Sequence, residues 1–337
     1  MSCLYVTEQG SEISVTEGKF IVNCKNGLKE IIPEEVLESI LVFGNVQFTA
    51  AALQHCLNKG INVSFLSTKG RYFGRLVSTS SVNAARLKKQ IYISDDEKKA
   101  LVFAQKSLSA KVHNQVVLLR RYARYSKNGD EISDHIRKML YFEGKIKEGG
   151  HSLDEVRGLE GISAKFYFDA LSKLVTNDFH FTGRSKQPPR DPFNSMLSLG
   201  YTILFYEIYA EVESHGLSPY IGFVHQLKEH HPTLVSDILE EWRAPVVDSV
   251  VMKLVQGNEV SIDSFTTDEE TGSVLMDKTL LHKFVKELED KMKVSMNYLS
   301  YLDHPVSFRH GIWWQVKSIA HCIEEGSFES YEPLRIR

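Results

Sequence analysis

The sequence predicts an α+β fold in which an N-terminal β-rich domain is joined by a linker to a larger all-α C-terminal domain. Short runs of β-branched residues, divided by glycine-containing turns, occupy the first part of the chain. Beyond the polar stretch Ser78-Thr79-Ser80-Ser81, apolar residues recur at helical spacing instead. We therefore assign residues 1–80 to the β domain, 81–93 to the linker and 94–337 to the helical domain.

Strands and turns alternate in the predicted β domain, with one helix among them. The Asn26-Gly27 pair is a strong signal for a hairpin turn between two strands. Thr49 suits the N-cap of a short helix over residues 50–58, which should end at Lys59-Gly60. The other predicted turns lie at Glu17-Gly18 and Thr68-Lys69-Gly70. The predicted strands are Glu12–Val15, Lys19–Cys24, Leu28–Ile32, Ser39–Phe43, Ile61–Leu66 and Tyr72–Val77.

Capping sequences mark the starts of helices in the second domain. Ser94-Asp95-Asp96-Glu97 has the pattern of a capping box, in which a serine and a glutamate three residues later satisfy free N–H groups of the first turn. Ser152-Leu153-Asp154-Glu155 has the same pattern and should open a helix that runs through Glu160. Asp191-Pro192 should open a long apolar helix that stops at His215-Gly216. Further helices are predicted over Leu234–Arg243, disturbed by Pro245, and over Phe284–Met296 and Gly311–Ile323.

Composition excludes several classes of protein. The 337 residues are 42% hydrophobic and 25% charged, which is ordinary for a soluble globular chain. The formal net charge is −3, so any DNA-binding surface must be a local basic patch. The four cysteines form no C-x-x-C pair and suit a reducing cytosol. The most apolar stretch, residues 196–210, is too short to span a bilayer, and no secretory signal is visible, so we expect a cytoplasmic protein.

No standard nucleotide-binding, hydrolase or zincin motif occurs in the chain, but three segments carry side chains that are unusual for a helical core. In the first segment, Gly158 and Gly161 flank Glu160 near the start of a predicted helix. Each glycine costs a helix about 0.5–1 kcal/mol relative to alanine, which indicates that small neighbours let a ligand, a metal ion or backbone approach the glutamate. An exposed acid favoured by the helix dipole is the alternative.

The second segment places His225 at a predicted loop-to-helix junction after an apolar run. It is either a metal ligand or a core or capping residue, and the spacing of His230 and His231 from it does not fit a helical zinc site. In the third segment Asp237 and Glu240 are three residues apart, so they share one face of a predicted helix. Neighbouring carboxylates repel unless a cation or a proton joins them. Oxygen ligands with one imidazole favour magnesium or manganese, and a solvated acidic face is the alternative.

Taken together, these segments carry a recognisable pattern. It consists of Gly158-Leu159-Glu160-Gly161, Gly222-Phe223-Val224-His225 and the spaced residues Leu234, Asp237, Glu240, Arg243, Val247 and Asp248. It extends to Phe181, Arg184, Pro189, Asp191, Pro192 and Asn194, and to Gly70, Arg71, Gly74, Arg75 and Leu76. On these residues the chain resembles the CRISPR-associated spacer-acquisition endonuclease/integrase family, the catalytic subunit of the CRISPR adaptation complex. It departs from that family at Gln226, Ser236, His310, Trp313 and Trp314.

The resemblance implies a metal-dependent DNA endonuclease/integrase that inserts spacer DNA into a CRISPR array by attack of a 3′-hydroxyl on a phosphodiester. It implies that Glu160, His225 and Glu240 are the catalytic ligands of Mg²⁺ or Mn²⁺, with Asp237 as an auxiliary ligand or a supporting acid. It also implies a homodimer formed through the β domains and a small ferredoxin-like second subunit. The DNA partners would be the prespacer duplex and the CRISPR repeat.

Candidate phosphate-binding cations occur at two places in the sequence, and a solvated basic face is the alternative at each. One set, in the loop before Asp191, comprises Arg184, Lys186 and Arg190, and the other, on a predicted helix, comprises Arg120, Arg121, Arg124 and Lys127. Two other functions remain open on the sequence. One is a non-catalytic helical nucleic-acid-binding protein, which metal dependence would exclude, and the other is a metallohydrolase of small phosphoesters, which substrate size would exclude.

Overall fold

The computed structural model divides into two units, Met1–Val82 and Asn83–Arg337. It describes residues 2–68, 70, 72–78, 82–124, 126–175, 177–179 and 181–337. Of the residues singled out in the sequence, Lys69, Arg71 and Thr79-Ser80-Ser81 lie outside this described part. The first unit is rich in strands and the second is mostly helical, as the sequence predicts.

The N-terminal unit contains two four-stranded sheets and one helix in its described residues. One sheet has the order β1-β5-β7-β8 and the other β4-β3-β2-β6. The helix, α1, spans Ala50–Lys59. The strands are β1 (Ser2–Val6), β2 (Glu12–Thr16), β3 (Lys19–Asn23), β4 (Lys29–Pro33), β5 (Leu37–Phe43), β6 (Gln47–Phe48), β7 (Asn62–Leu66) and β8 (Tyr72–Leu76). Their shared core includes Ile13, Phe20, Ile40, Val63 and, from α1, Cys56.

Local signals account for much of this unit. Strands β3 and β4 pair antiparallel across the predicted turn, where Gly27 has φ 85°, a conformation that glycine adopts without strain. Thr49 caps α1 by accepting a hydrogen bond from Ala52 N at 3.2 Å, and Gly60 ends it with φ 70°. Strand β1 was not predicted from the sequence, and it pairs parallel with β5, a partner that is distant in sequence.

The helical unit contains nine α-helices among the described residues. They are α2 (Ala84–Ser94), α3 (Glu97–Ala123), α4 (Gly129–Lys147), α5 (Leu153–Leu174), α6 (Pro192–Ser214), α7 (Thr233–Trp242), α8 (Ser249–Gln256), α9 (Lys278–Lys293) and α10 (Phe308–Glu325). Two short antiparallel pairs accompany them, β9 (Phe265–Thr267) with β10 (Val274–Met276) and β11 (Ser295–Met296) with β12 (Val306–Ser307). Within the described chain, no helix is both long and apolar enough to cross a membrane.

The predicted linker is wrong over most of its length. Helix α2 covers 84–94, because the Asn83 side chain accepts a hydrogen bond from Arg86 N at 3.0 Å and caps a first turn. The predicted capping box at Ser94 is also wrong, since Ser94 is the last residue of α2 and its hydroxyl donates to Ile91 O at 2.8 Å. Helix α3 is capped instead by Asp96, whose carboxylate accepts from the first-turn backbone N–H groups.

Other helix boundaries follow the predicted caps more closely. Ser152 and Glu155 form the predicted capping box at the start of α5, and Asp191 caps α6 by accepting from Asn194 N at 2.8 Å. Helix α9 begins at Lys278, earlier than predicted, because Asp277 caps it. After α7 the chain forms a π-helical turn over Arg243–Asp248. Pro245 lies within that turn and has no N–H to donate, which breaks the α-helical hydrogen-bond ladder.

Helix α3 is the central element of the helical unit. It packs against α4, α5 and α7, and most of its middle turns are buried. A polar side chain on the inward face of α3 therefore meets α5 and α7, the two helices that carry the predicted acidic ligands. This packing brings together side chains that are far apart in the sequence.

Candidate active site

Glu160 lies just beyond the second turn of α5, in a surface that is open beside it. The start of the helix is fixed by the reciprocal bonds of the capping box, Glu155 N to Ser152 Oγ at 3.3 Å and Ser152 N to Glu155 Oε2 at 2.7 Å. A Cβ atom added at Gly158 or Gly161 would meet no atom within 4 Å. No protein backbone in the described chain approaches these glycines, so the surface next to Glu160 remains clear for a ligand.

Helix α7 carries three acids, Asp237, Glu240 and Glu241, and all ten of its residues are buried. Asp237 and Glu240 face the same side, as their spacing predicts, whereas Glu241 points to a different network. Carboxylates are expensive to bury unless hydrogen bonds or opposite charges compensate them. Each of the three acids has its own set of compensating partners, and these partners define its role.

Asp237 accepts hydrogen bonds from a loop that ends at His225. Its Oδ2 accepts from Phe223 N at 2.6 Å and from Val224 N at 2.9 Å. Its Oδ1 accepts from His225 N at 2.9 Å and lies 2.6 Å from His225 Nδ1. Both oxygens are thus engaged by N–H groups of the 223–225 loop. This arrangement favours the supporting role over the auxiliary-ligand role among the two that the sequence leaves open for Asp237.

Gly222 permits the close approach between this loop and α7. A Cβ atom at Gly222 would lie 2.5 Å from Asp237 Oδ2 and 2.8 Å from Leu234 N, which is closer than real Cβ atoms come. Any larger residue would push the loop away from the carboxylate. Glycine is therefore required for steric reasons at the first position of the Gly222-Phe223-Val224-His225 motif. The motif holds His225 against Asp237 of α7.

Lys111 of α3 joins the two acids that lie on different helices. Its Nζ is 2.5 Å from Glu160 Oε1 and 2.6 Å from Glu240 Oε2, and its side chain is only 8% exposed. On the opposite side of Glu240, Oε1 lies 4.0 Å from His225 Nε2. Glu160, His225 and Glu240, predicted as ligands from three separate segments, thus converge around Glu240 and the Lys111 ammonium group.

Electrostatics in this cluster favour the ionised form of Glu240 and the protonated form of Lys111. Burial acts to raise the pKa of Glu240, but the positive charges of Arg243 and Lys111 outweigh it and the pKa is lowered. Burial acts to lower the pKa of Lys111, but the two carboxylates outweigh it and the pKa is raised. Burial acts to lower the pKa of His225, but the hydrogen bond that its imidazole donates to Asp237 and the negative charge of that carboxylate outweigh burial, and the pKa is raised.

Arg243 begins the π-helical turn and closes the cluster on another side. Its guanidinium is 3.3 Å from Glu240 Oε1 and 5.0 Å from the centre of the Tyr201 ring. The Tyr201 and Tyr167 hydroxyls both donate to Asp248, at the end of the same turn. Asp248 of the sequence motif is therefore a fully buried anchor for two tyrosines, and Tyr201 gives Arg243 a flat surface to stack on.

The donor set suits a hard divalent cation in chemistry, although a cation of the protein itself already lies within it. Two carboxylates and an imidazole are ligands that Mg²⁺ or Mn²⁺ accepts. His225 Nδ1 is directed at Asp237, which leaves Nε2 as the coordinating nitrogen. Glu240 Oε2 is buried and has no hydrogen bond of acceptable geometry in the described chain. No three acid, imidazole or thiolate groups among the described residues are yet close enough together to hold an ion, and the Lys111 ammonium stands between two of them.

The predicted phosphate-binding cations fall into two groups. Lys186 is electrostatically coupled to Glu240, Arg184 and Arg243, and burial lowers its pKa. Arg184 has a structural role, because its guanidinium group donates a hydrogen bond to Asn194 Oδ1 at 2.8 Å. Lys186 and Arg184 are therefore close to the cluster. Arg190, in the same loop, lies 3.4 Å from the carbonyl oxygens of Thr271 and Gly272.

The other group of cations lies at the C-terminal end of α3, where Arg120 and Arg124 are exposed. Arg120 is nine residues beyond Lys111, which corresponds to about 13 Å along the helix axis. Neither cation contacts the cluster in the described structure. A DNA strand would have to run along α3 to contact these cations and the acids together.

Two buried side chains near the cluster were missed in the sequence. One is Lys111, which stands in the apolar run Ala110-Lys111-Val112 and whose only signal is that a lone charge occupies a core position. The other is Glu241, which accepts from Tyr331 Oη at 2.7 Å and Leu334 N at 2.8 Å. Burial raises the pKa of Glu241 to about 7 against those hydrogen bonds.

Glu241 belongs to a buried network that fixes the 331–336 segment. Gln315 of α10 donates to Glu241 Oε2 at 2.5 Å and accepts from Trp242 Nε1 at 2.7 Å. Asn114 of α3 donates to Leu334 O at 2.9 Å, and its side-chain oxygen accepts from Ile336 N at 2.9 Å. The segment is thereby tied both to α3, three residues from Lys111, and to α7, next to Glu240.

A family model and individual relatives both match this chain to CRISPR-associated Cas1 proteins. The family model for CRISPR associated protein Cas1 matches residues 4–290. A CRISPR-associated endonuclease Cas1 of Mycobacterium tuberculosis is 33% identical over 323 residues, which are 96% of this chain and 94% of the relative. A CRISPR-associated endonuclease Cas1 of Thermus thermophilus is 31% identical over 99% of this chain and 97% of its own length.

Solved structures share the fold at lower sequence identity. A CAS1 protein from Thermotoga maritima superposes with a TM-score of 0.80 at 21% identity, over 96% of this chain and 97% of its own. A casposase bound to integration product gives a TM-score of 0.82 at 21% identity, over 100% of this chain and 96% of its own. A chain of a Cas6-RT-Cas1--Cas2 complex gives 0.84, with 36% of that longer chain covered.

Proposed function

The chain belongs to the family of CRISPR-associated Cas1 proteins, and on that premise we propose that it is a metal-dependent DNA endonuclease/integrase that inserts spacer DNA into a CRISPR array. The observation that carries the proposal is the convergence of Glu160, His225 and Glu240 from three segments onto one buried cluster. Their donor atoms are those of a Mg²⁺ or Mn²⁺ site. The family relationship supports the nuclease class, and the cluster is where we expect the chemistry.

The reaction exchanges one phosphodiester bond for another. The 3′-hydroxyl oxygen of the incoming strand bonds to phosphorus as the 3′-oxygen of the target strand leaves with a proton, so neither an oxidant nor a nucleotide is consumed. A bound divalent ion would lower the pKa of the attacking hydroxyl and stabilise charge on the phosphate oxygens. Glu160, His225 and Glu240 would hold that ion.

The other residues of the cluster orient and balance these groups. Asp237 fixes the ring of His225 by its bond to Nδ1, so that Nε2 faces Glu240. Arg243 supplies positive charge 3.3 Å from Glu240 and is braced against Tyr201. Lys186 is exposed and interacts electrostatically with Glu240, so it is placed to contact a phosphate of DNA. These roles require a long substrate that crosses the surface beside Glu160.

The same proposal covers partners. The described N-terminal unit exposes several large apolar side chains, among them Ile31 at 55% and Phe73 at 67%, and we propose that it mediates a homodimer. A structurally similar chain belongs to a complex that contains Cas2, and we propose that this protein binds a small ferredoxin-like subunit of that kind. The working compartment would be the cytoplasm, where CRISPR arrays and prespacer DNA occur.

The test compares two reactions, transfer of a DNA strand into plasmid and hydrolysis of a small phosphodiester, each with and without the ion. A duplex with free 3′-OH ends is incubated with supercoiled plasmid in Mn²⁺ or EDTA, beside a small chromogenic phosphodiester. We expect strand transfer into plasmid only with Mn²⁺ and no turnover of the small ester. Glu240→Gln should abolish transfer, whereas Glu229→Gln, at a side chain 89% exposed, should not. DNA binding without any ion-dependent product, or cleavage of the small ester alone, would contradict the proposal.

A further inference from the structure

We propose that Lys111 is a built-in competitor of the divalent ion, because its ammonium group binds the same two carboxylates that would hold the ion. The proposal rests on the proposed function, since it concerns the same site. Lys111 bridges α5 and α7 through Glu160 and Glu240, at 2.5 and 2.6 Å. The lysine must leave this position for both acids to become ligands.

Burial makes the lysine a specific part of the site. The side chain of Lys111 is 8% exposed and that of Glu240 is 6% exposed, so little water reaches the contact between them. A lysine is almost never buried unless it is paired, and one that is buried without a partner is strongly disfavoured. The two acids would in turn repel each other if no cation lay between them. The lysine thus supplies the positive charge that lets α3, α5 and α7 pack together.

The geometry leaves no room for both cations between these oxygens. Divalent ions of this class bind carboxylate oxygens at about 2.1 Å. An ion held by both carboxylates would have to share these oxygens with the Lys111 ammonium nitrogen, which lies 2.5 and 2.6 Å from them. Two cations that share a buried pair of oxygens repel strongly, because little water screens them. Binding of the ion and the present position of Lys111 therefore exclude one another.

The position of His225 indicates that an ion would approach Glu240 from the side opposite Lys111. Glu240 presents Oε2 to Lys111 and Oε1 to His225 Nε2, which lies 4.0 Å away. An ion that approached between His225 and Oε1 would still need Glu160 as its third protein ligand, and that carboxylate is held by Lys111. The lysine therefore controls whether the third ligand is available, and it should weaken binding of an ion in the absence of DNA.

The consequence can be measured without any assay of DNA joining. Removing the charge in Lys111→Met or Lys111→Gln should tighten binding of Mn²⁺ by about tenfold or more, because two uncompensated carboxylates remain. The same variants should melt at a lower temperature than wild type without the ion. Added Mn²⁺ should raise their melting temperature by more than it raises that of wild type, since tighter binding stabilises the folded state further.

The experiment is a Mn²⁺ titration by calorimetry of the full-length protein, with thermal melts alongside. The matched control is Lys99→Met, which makes the same change on α3 at a surface lysine whose ion pair is with Asp96. Glu240→Gln is the second reference, because it removes a ligand. If Lys111→Met does not fold, the Mn²⁺ titration of Lys111→Gln tests the proposal, because this variant keeps a hydrogen-bond donor between the carboxylates.

Three outcomes are distinct. Tighter Mn²⁺ binding in the Lys111 variants, with Lys99→Met unchanged, supports competition. Equal or weaker binding in the Lys111 variants, with loss of binding in Glu240→Gln, overturns competition and makes the lysine a positioning residue while the metal site stands. Wild-type binding in Glu240→Gln overturns the metal site itself, and this inference with it.

Discussion

Asp237 Oδ1 lies 2.6 Å from His225 Nδ1, and the same carboxylate accepts from three consecutive backbone N–H groups, those of residues 223–225. One buried acid therefore determines both the path of this loop and the orientation of the imidazole. The acid one turn later on α7, Glu240, faces the ring from the other side. Two acids three residues apart thus have different tasks, one holding the histidine and the other meeting it.

Replacement of Asp237 should damage the fold as well as activity. In Asp237→Asn the amide NH₂ would face N–H donors of the loop, and each donor left unpaired in a buried place costs about 1–3 kcal/mol. We expect the free energy of unfolding to fall by at least about 1 kcal/mol. Urea unfolding measures this, with Glu240→Gln as the comparison. A variant as stable as wild type would mean that the loop bonds contribute little.

Loss of the proposed ligands should have the opposite signature, in which activity disappears and the fold remains. Glu160→Ala, His225→Ala and Glu240→Ala should each reduce Mn²⁺-dependent strand transfer at least about a hundredfold, because removal of groups that only support a ligand already costs about 10–100-fold. His230→Ala, at a side chain 90% exposed, is the control for His225. Wild-type activity in two of the three variants would exclude this assignment of the site.

The two sets of basic residues can be compared through the salt dependence of DNA binding. The logarithm of affinity should fall with the logarithm of salt concentration at about −0.9 per neutralised phosphate on duplex DNA. The double variant Lys186→Ala/Arg190→Ala should therefore flatten the slope by up to about two units, without dependence on sequence. Arg120→Ala/Arg124→Ala is the matched double variant on α3. A change confined to the α3 variant would place the DNA along that helix instead.

Alkaline pH should stabilise the helical unit through Lys291 of α9. Burial and the charge of Arg121 lower the pKa of Lys291 from 10.5 to about 8. The unfolded chain then binds more protons than the native chain between pH 8 and 10.5, so the free energy of unfolding rises with pH over that range.

Lys291→Met should remove that pH dependence and raise the free energy of unfolding at pH 7 by up to about 3 kcal/mol, because methionine carries no charge that must be buried. Urea unfolding at pH 7.5 and 10 measures both effects. Lys286→Met, at an exposed position of the same helix, is the control. Parallel pH profiles for wild type and Lys291→Met would show that Lys291 does not carry the effect.

The exposed apolar residues of the N-terminal unit give a test of the homodimer. Phe73→Ser should shift the protein from dimer to monomer in size-exclusion chromatography with light scattering, because it removes apolar area from the proposed interface. Tyr141→Ser changes an aromatic residue of the helical unit that is 61% exposed, and it should have no effect. A wild-type monomer, or a dimer in both variants, would exclude the proposed interface.

Signals that are local in sequence were sufficient for much of the fold and for the identity of the acids. Ser152 and Asp191 set the starts of α5 and α6 through hydrogen bonds within the first turn, so a short stretch contains the information. Glu160, His225 and Glu240 were predicted as ligands from short motifs and the resemblance they carry. The structure places them in one cluster, and their role as ligands remains a prediction.

Contacts between distant segments were not predictable in this way. Lys111 contacts an acid 49 residues away, and its apolar neighbours Ala110 and Val112 indicate burial without indicating which acid it meets. The mistaken capping box at Ser94 has a related cause, because two adjacent aspartates offered several caps and only packing of α2 before α3 selects Asp96. Strand β1 pairs parallel with β5, and a parallel pairing of distant strands has no hairpin turn that would mark it in the sequence.

The network around Glu241 bears on how the protein is made. The carboxylate obtains two of its hydrogen bonds from Tyr331 and Leu334, residues that the ribosome adds only after α7 and α10 have been synthesised. Until that segment leaves the exit tunnel, Glu241 lacks these two hydrogen-bond donors. Domains generally fold as units. The candidate site on α7 should therefore reach its final surroundings only after residues 331–334 have left the ribosome.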